Sequence, residues 1–177
     1  MMVMLDNEAI SVLHERIAAA AFLSDERVRE TRMEVKITHL DHVKFAIQSR
    51  SQTIICDQPA ENGGEDSGMT PPELLLASLG SCAAFYAVQY LKTRNLAQSG
   101  VEVSITAEKL KQPARLGNFC IHVVSPVSLT EEQTEGLMRS VHACLIHNTL
   151  LTPPEIKIEL EIGEHATSHR ADESLPG

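Results

Sequence analysis

Thr70-Pro71-Pro72-Glu73-Leu74-Leu75-Leu76-Ala77-Ser78-Leu79-Gly80-Ser81-Cys82 is the stretch on which the fold turns. Thr followed three residues later by Glu matches a capping box, and Pro suits the first turn of a helix. The apolar run continues through Ala83 and Phe85 to Leu91, so the pattern predicts a long helix from near Pro71 to about Arg94. Asn95 to Gly100 ends it. The run approaches the length of a membrane span. Ser78, Gly80, Ser81 and Gln89 interrupt it, and no aromatic and basic flanks bracket it, so a buried helix and no membrane are expected. A helix apolar all round must be covered on all sides, and in a chain of 177 residues a second subunit is one way to do that.

Upstream of this helix the period is two. Met33, Val35 and Ile37 alternate with Arg32, Glu34, Lys36 and Thr38, and Val43, Phe45 and Ile47 alternate with Lys44, Ala46 and Gln48. His39-Leu40-Asp41-His42 reads as the hairpin connection, with a short third strand at Thr53 to Cys56. Residues 57–69 are rich in Gly, Pro, Asn and Asp and read as a loop. Downstream, Val101, Val103 and Ile105 alternate as a strand, Gln112 to Gly117 reads as a turn, and residues 118–125 as the next strand. Thr130 and Gln133 form a second capping-box match, opening a helix to roughly Ala143. Ile156, Ile158, Leu160 and Ile162 alternate with charged residues as a last strand. Residues 6–22 carry a helical stripe of Ile10, Leu13, Ile17, Ala20 and Ala21. The expected order is therefore α-βββ-α-ββ-α-β, an α+β class with antiparallel pairing. Residues 1–30 read as an extra N-terminal helical segment, 31–162 as a single domain, and 163–177 as a polar, disordered tail.

Composition narrows the function. Lys and Arg number 15 against 24 Asp and Glu, a net charge of −9 with no basic cluster, which argues against a nucleic-acid partner. Aromatics are 3% of residues and Trp is absent, so base-stacking platforms and aromatic cages lack their ring faces. Residues 1–8 lack the basic start and apolar run of a secretory signal, and the expected compartment is the cytoplasm, where thiols stay reduced unless they have redox work.

Four cysteines remain to be placed. Cys82 lies in the middle of the apolar helix, either as a small buried hydrophobe or as a reactive thiol. The helix dipole fades beyond the first turn and cannot by itself activate it. Cys144 follows the helix that starts at Thr130, and a helix C-terminus disfavours thiolate, which suits a resolving thiol better than an attacking one. Cys56 and Cys120 fall in strands and read as packing. No CxxC occurs. His142, Cys144 and His147 are of metal-ligating type, but their spacing matches no zinc pattern and no fourth ligand is evident, so no metal is expected. No P-loop, nucleophile elbow or dinucleotide fingerprint occurs.

Asp57-Gln58-Pro59, Gly63-Gly64 and TPPELLLASLGSC ending in Cys82, together with Cys144 and His147-Asn148-Thr149-Leu150, resemble the family of osmotically inducible protein C and the organic hydroperoxide resistance proteins, OsmC/Ohr. The resemblance covers about Thr31 to Ile162. It implies an α+β fold of antiparallel sheets around long central apolar helices, built as an intertwined homodimer. It further implies that Cys82 is the peroxidatic cysteine and Cys144 the resolving one. The function implied is a thiol-dependent peroxidase reducing organic hydroperoxides or hydrogen peroxide, without a cofactor and recycled by an external dithiol reductant.

Two departures from the family pattern keep an alternative open. The family's activating Arg lies near the first hairpin, which here reads Thr38-His39-Leu40-Asp41-His42. The position matching its Glu holds Pro72. Glu73, one residue later, lies nine residues before Cys82. At about 100° per residue that places it on roughly the opposite helix face. The alternative is a non-catalytic redox-sensing or small-ligand-binding protein on the same fold.

Overall fold

Period-two segments become strands largely where expected, but the chain turns elsewhere than the turn residues suggest. The computed structural model describes residues 32–162. The helix expected over 6–22 and the tail beyond 162 lie outside these residues. The chain divides into two compact units, residues 1–75 and 76–177.

In the first unit, β1 (Lys36–Asp41), β2 (Lys44–Ser49) and β3 (Gln52–Cys56) form an antiparallel sheet in the order β1-β2-β3. Ile47 stands at its centre, opposite Ile37 on one side and Ile54 on the other. The first hairpin is tighter than the expected four-residue connection. Asp41 pairs with Lys44, and His42 takes φ 45°. A positive φ matches a two-residue turn to the strand twist, and the register shift between His39 and Asp41 absorbs the extra residue.

The loop after β3 is held from inside by Asp57, whose side chain is fully buried. Its oxygens accept from the N–H groups of Gln58 (2.8 Å), Glu65 (3.1 Å) and Ser67 (3.1 Å), and from Ser67 Oγ (2.8 Å). Burial pushes the Asp57 carboxyl up, but the Ser67 N–H and hydroxyl, with the Gln58 and Glu65 N–H groups, outweigh it and hold the group well below the usual carboxylate range. Gly64 is required here, because a Cβ would stand 1.9 Å from the Gln58 carbonyl oxygen. At the end of the loop the Glu73 carboxylate accepts from the Thr70 N–H and hydroxyl, both at 2.8 Å, which supplies the Glu73-to-Thr70 half of the predicted capping box at the start of the long helix.

That helix, α1, runs Pro71–Thr93. By length and composition it could cross a membrane, with a mean hydropathy of 1.5 over its 18-residue window. In the second unit its buried residues Leu79, Gly80, Ala83, Ala87, Tyr90 and Leu91 recur at three- and four-residue intervals, and so share one face. The core gathers Ala83, Ala87, Tyr90, Leu91, Leu137 and Val141, with Val101, Val103, Ile121 and Val123 packed on it. Cover on all sides is not achieved. Phe85 is 57% exposed, because one two-stranded sheet and one helix can shield only one side.

β4 (Glu102–Lys111) and β5 (Ala114–Val124) form that antiparallel sheet. The turn expected over 112–117 is only Gln112-Pro113, and Lys111 already pairs with Ala114. Gly117, the last residue of the expected turn, and Asn118, the first of the expected strand, both lie inside β5 beside a register irregularity, with Asn118 at φ 53°. They mark a bulge, and a Cβ on Gly117 would stand 2.6 Å from Leu110 Cδ1.

α2 (Glu131–His142) starts with a complete capping box between Thr130 and Gln133. A further short helix, α3 (Leu145–Leu151), follows and was not anticipated. The expected last strand has no ladder partner among the described residues, and Ile156, Ile158, Leu160 and Ile162 are all at least 82% exposed. Alternation supplies a strand's faces, but only a neighbouring strand makes it a strand. The fold is α+β, with three helices and antiparallel sheets.

Candidate functional site: two thiols at the junction of α2 and α3

α2 closes at His142, and the Cys144 N–H donates to the Val141 carbonyl at 3.1 Å. Cys144 then serves as the N-cap of α3, with its sulfur accepting from the His147 N–H at 3.4 Å. Cys144 thus follows the end of α2, as the sequence reading has it, and its sulfur also faces the first N–H groups of a second helix that the reading did not include. Those donors do not make it acidic. Cys144 is fully buried, and burial pushes its thiol up. The Cys82 side chain acts in the same direction, while the N–H groups of His147 and Ile146 oppose both and lose. Cys144 therefore stays protonated, as a resolving thiol would, but the cause is burial and not a helix end.

Cys82 is half-buried in the middle of α1. Its thiol lies close enough to Cys144 to help hold that thiol up, so the structure brings near each other two residues 62 positions apart in the chain (144 − 82). Both are free thiols. A pair so placed can carry sulfenic acid formation on one sulfur and disulfide closure by the other.

The remaining cysteines differ from each other. Cys56 ends β3, is 4% exposed, and has its thiol raised by burial and then by the neighbouring Asp57 charge. It is packing, as expected. Cys120 is exposed on β5 opposite Thr106, so it is not core filler. The period-two reading could not tell which face of a two-stranded sheet would be covered.

The His142 and His147 rings lie 5.3 Å apart. Among the described residues no three His, Cys, Asp or Glu side chains converge as a metal site would require. Within residues 76–162 no Lys or Arg hydrogen-bonds to either thiol. Arg94 instead stacks 3.9 Å above the Tyr90 ring, and Arg139 pairs with Glu135 at 3.5 Å. Glu73 serves Thr70, at the start of α1. One feature of the site was missed by sequence reasoning. His147 Nδ1 is buried and has no hydrogen-bond partner among the described residues. The only sequence signal was a His three residues after Cys144.

The sequence profile of the family described as OsmC-like protein matches residues 64–159. Among solved structures, the chain is similar to a protein of Psychrobacter arcticus 273-4 assigned to osmotic stress induction and detoxification response. The TM-score is 0.61 at 18% identity, covering 67% of this chain and 88% of that one. It is similar to an OsmC-like protein of Mycoplasma pneumoniae, with TM-score 0.57, 19% identity, and 68% and 88% coverage. It is also similar to the organic hydroperoxide resistance protein OsmC of Legionella pneumophila, with TM-score 0.51, 17% identity, and 67% and 88% coverage. At these identities the likeness establishes the fold. No curated protein matches the chain.

Proposed function

This chain belongs to the OsmC-like protein family, and on that premise we propose that it is a thiol-dependent peroxidase reducing organic hydroperoxides or hydrogen peroxide. The observation that carries the proposal is the pairing of the Cys82 and Cys144 thiols across α1 and the α2–α3 junction. The organic hydroperoxide resistance activity named for the Legionella pneumophila relative supports it. Cys82 thiolate attacks the peroxide O–O bond and becomes a sulfenic acid, releasing an alcohol or water. Cys144 condenses with it to a disulfide, and an external dithiol restores both thiols by exchange. No cofactor is needed. The working form is a cytoplasmic homodimer of the 31–162 domain, with no membrane or nucleic-acid partner. The exposed Phe85 and the unpaired 156–162 edge favour such a dimer.

Peroxide consumption with a dithiol donor tests the proposal. Wild type turns over, Cys82→Ser falls to the uncatalysed background, and equal rates in the two would overturn it. The first hairpin, Thr38 to His42, holds no Arg, and this departure from the family pattern favours a second function, redox sensing with little turnover. Thiol titration after peroxide treatment separates the two, since a sensor closes the Cys82–Cys144 disulfide but consumes peroxide only about once per site.

A further inference from the structure

A buried polar atom left without a partner is costly and uncommon in native proteins, and it calls for a use. His147 Nδ1 is such an atom, closed off from solvent and unpartnered among the described residues. Its position narrows the use. The backbone N–H of the same residue donates to Cys144 Sγ at 3.4 Å, so the imidazole branches from the residue that touches the sulfur. Nδ1 is the ring nitrogen nearer that backbone. The titratable groups around this junction are His142 from α2, Cys82 from α1 and His147 from α3. Of these, an imidazole is the group whose neutral ring nitrogen can serve as a base. His142 is exposed, whereas Nδ1 of His147 is buried.

Cys144 needs such a group. Burial and the Cys82 thiol keep its proton on. A protonated thiol is a poor nucleophile, and a fully buried sulfur cannot hand its proton to bulk water.

We propose that His147 Nδ1 accepts the Cys144 thiol proton as the disulfide with Cys82 closes, and passes it to the leaving group. This rests on the two-cysteine reading above and assigns its resolving step. The Cys144 S–H bond breaks toward Nδ1, and the sulfur electron pair forms the bond to Cys82. The Cys82 S–O bond of the sulfenic acid breaks, and the leaving hydroxide takes the proton from His147. Cys82–SOH and Cys144–SH thus give a disulfide and water, with the imidazole neutral again.

The test uses two oxidants on the full chain. A hydroperoxide places a sulfenic acid on Cys82. Glutathione disulfide places a mixed disulfide there, which Cys144 resolves by releasing glutathione, without any peroxide chemistry. Closure is followed by rapid quenching and mass spectrometry, with a dimedone trap for the sulfenic acid. His147→Gln keeps a similar shape but takes no proton, and His147→Ala opens a space for added imidazole. Both variants close the disulfide about a hundredfold more slowly with either oxidant, and sulfenic acid accumulates. Added imidazole restores the His147→Ala variant. Closure of His147→Gln at the wild-type rate overturns the proposal, and so does slow closure of His147→Ala that imidazole fails to restore. If peroxide leaves wild-type Cys82 unoxidised while glutathione release still depends on His147, the peroxidase reading fails and the role of His147 stands. If glutathione release ignores His147, the role fails whatever peroxide does.

Discussion

Two regions bury a polar group just past the end of an element, and they treat it in opposite ways. After β3, the Asp57 carboxylate gathers three N–H groups and one hydroxyl within 3.1 Å. After α2, the Cys144 sulfur is met by the His147 N–H at 3.4 Å and by the Ile146 N–H, and the neighbouring His147 Nδ1 receives nothing among the described residues. The first group is saturated, and its chemistry is spent on holding a loop in place. The second site keeps a thiol, a second thiol and an imidazole nitrogen in reserve. Burial is common to both, so burial alone does not mark a functional site. An incomplete set of partners does.

The largest effect should come from breaking the saturated region. Asp57→Asn removes the charge and turns an N–H2 toward donors that need an acceptor. The expected outcome is a fall in Tm on the order of 10 °C, read by thermal unfolding. The pH dependence follows from the sign of the shift. The folded carboxyl titrates below its unfolded value of about 3.9, so its stabilisation is fully present above that pH. It is lost as pH falls toward the folded value. Wild type should therefore lose stability below about pH 4 along a limb that Asp57→Asn lacks. An unchanged Tm in the variant would break the comparison, because the loop would then be held by something else.

Cys144→Ala should behave in the reverse manner. It removes a small thiol held by weak contacts, the His147 N–H standing 3.4 Å away, so stability drops by only about 1 kcal/mol. Dithiol-dependent turnover is lost, while a single equivalent of peroxide is still consumed. The pH limb also has the opposite sign. The Cys144 thiol is raised in the folded state, so its contribution is complete below the unfolded thiol pKa of about 8.5 and is lost as pH rises through the folded value. Cys56 adds to the same alkaline limb. A pH–Tm profile of Cys144→Ala with the wild-type alkaline limb intact would assign that limb to Cys56.

The saturated region was more legible in the sequence than the reactive one. Turn residues over 57–69, the capping pair Thr70 and Glu73 and the run to Leu91 are local signals, and each is realised within a few residues of where it is written. The second capping pair, Thr130 and Gln133, is realised as a complete reciprocal box. Failures came where a long-range partner decides. Ile156 to Ile162 alternates without fault and finds no neighbouring strand among the described residues. Gly117-Asn118 carries turn chemistry but is used as a bulge, because pairing with β4 continues through it. α3 was hidden because its N-cap is a cysteine, a residue that propensity does not mark as a cap. Cys82 and Cys144 were reached through the family resemblance. That their thiols meet, and that His147 Nδ1 is left over, depends on packing between α1, α2 and α3, which no spacing encodes.

The smallest effect tests the comparison from its other side. Arg139 and Glu135 also form a charge-assisted contact, at 3.5 Å and with helical i,i+4 spacing, but the two side chains are 71% and 64% exposed. Water replaces either partner when the other is removed, and salt screens what remains. Arg139→Ala should therefore change stability by no more than about 0.5 kcal/mol in chemical denaturation, and less in high salt. The same kind of contact inside the Asp57 loop has no water to fall back on. A loss above about 1 kcal/mol in Arg139→Ala would mean that the number of charged contacts, and not their enclosure, sets their worth. The contrast between a saturated loop and an unsatisfied thiol junction would then lose its physical basis.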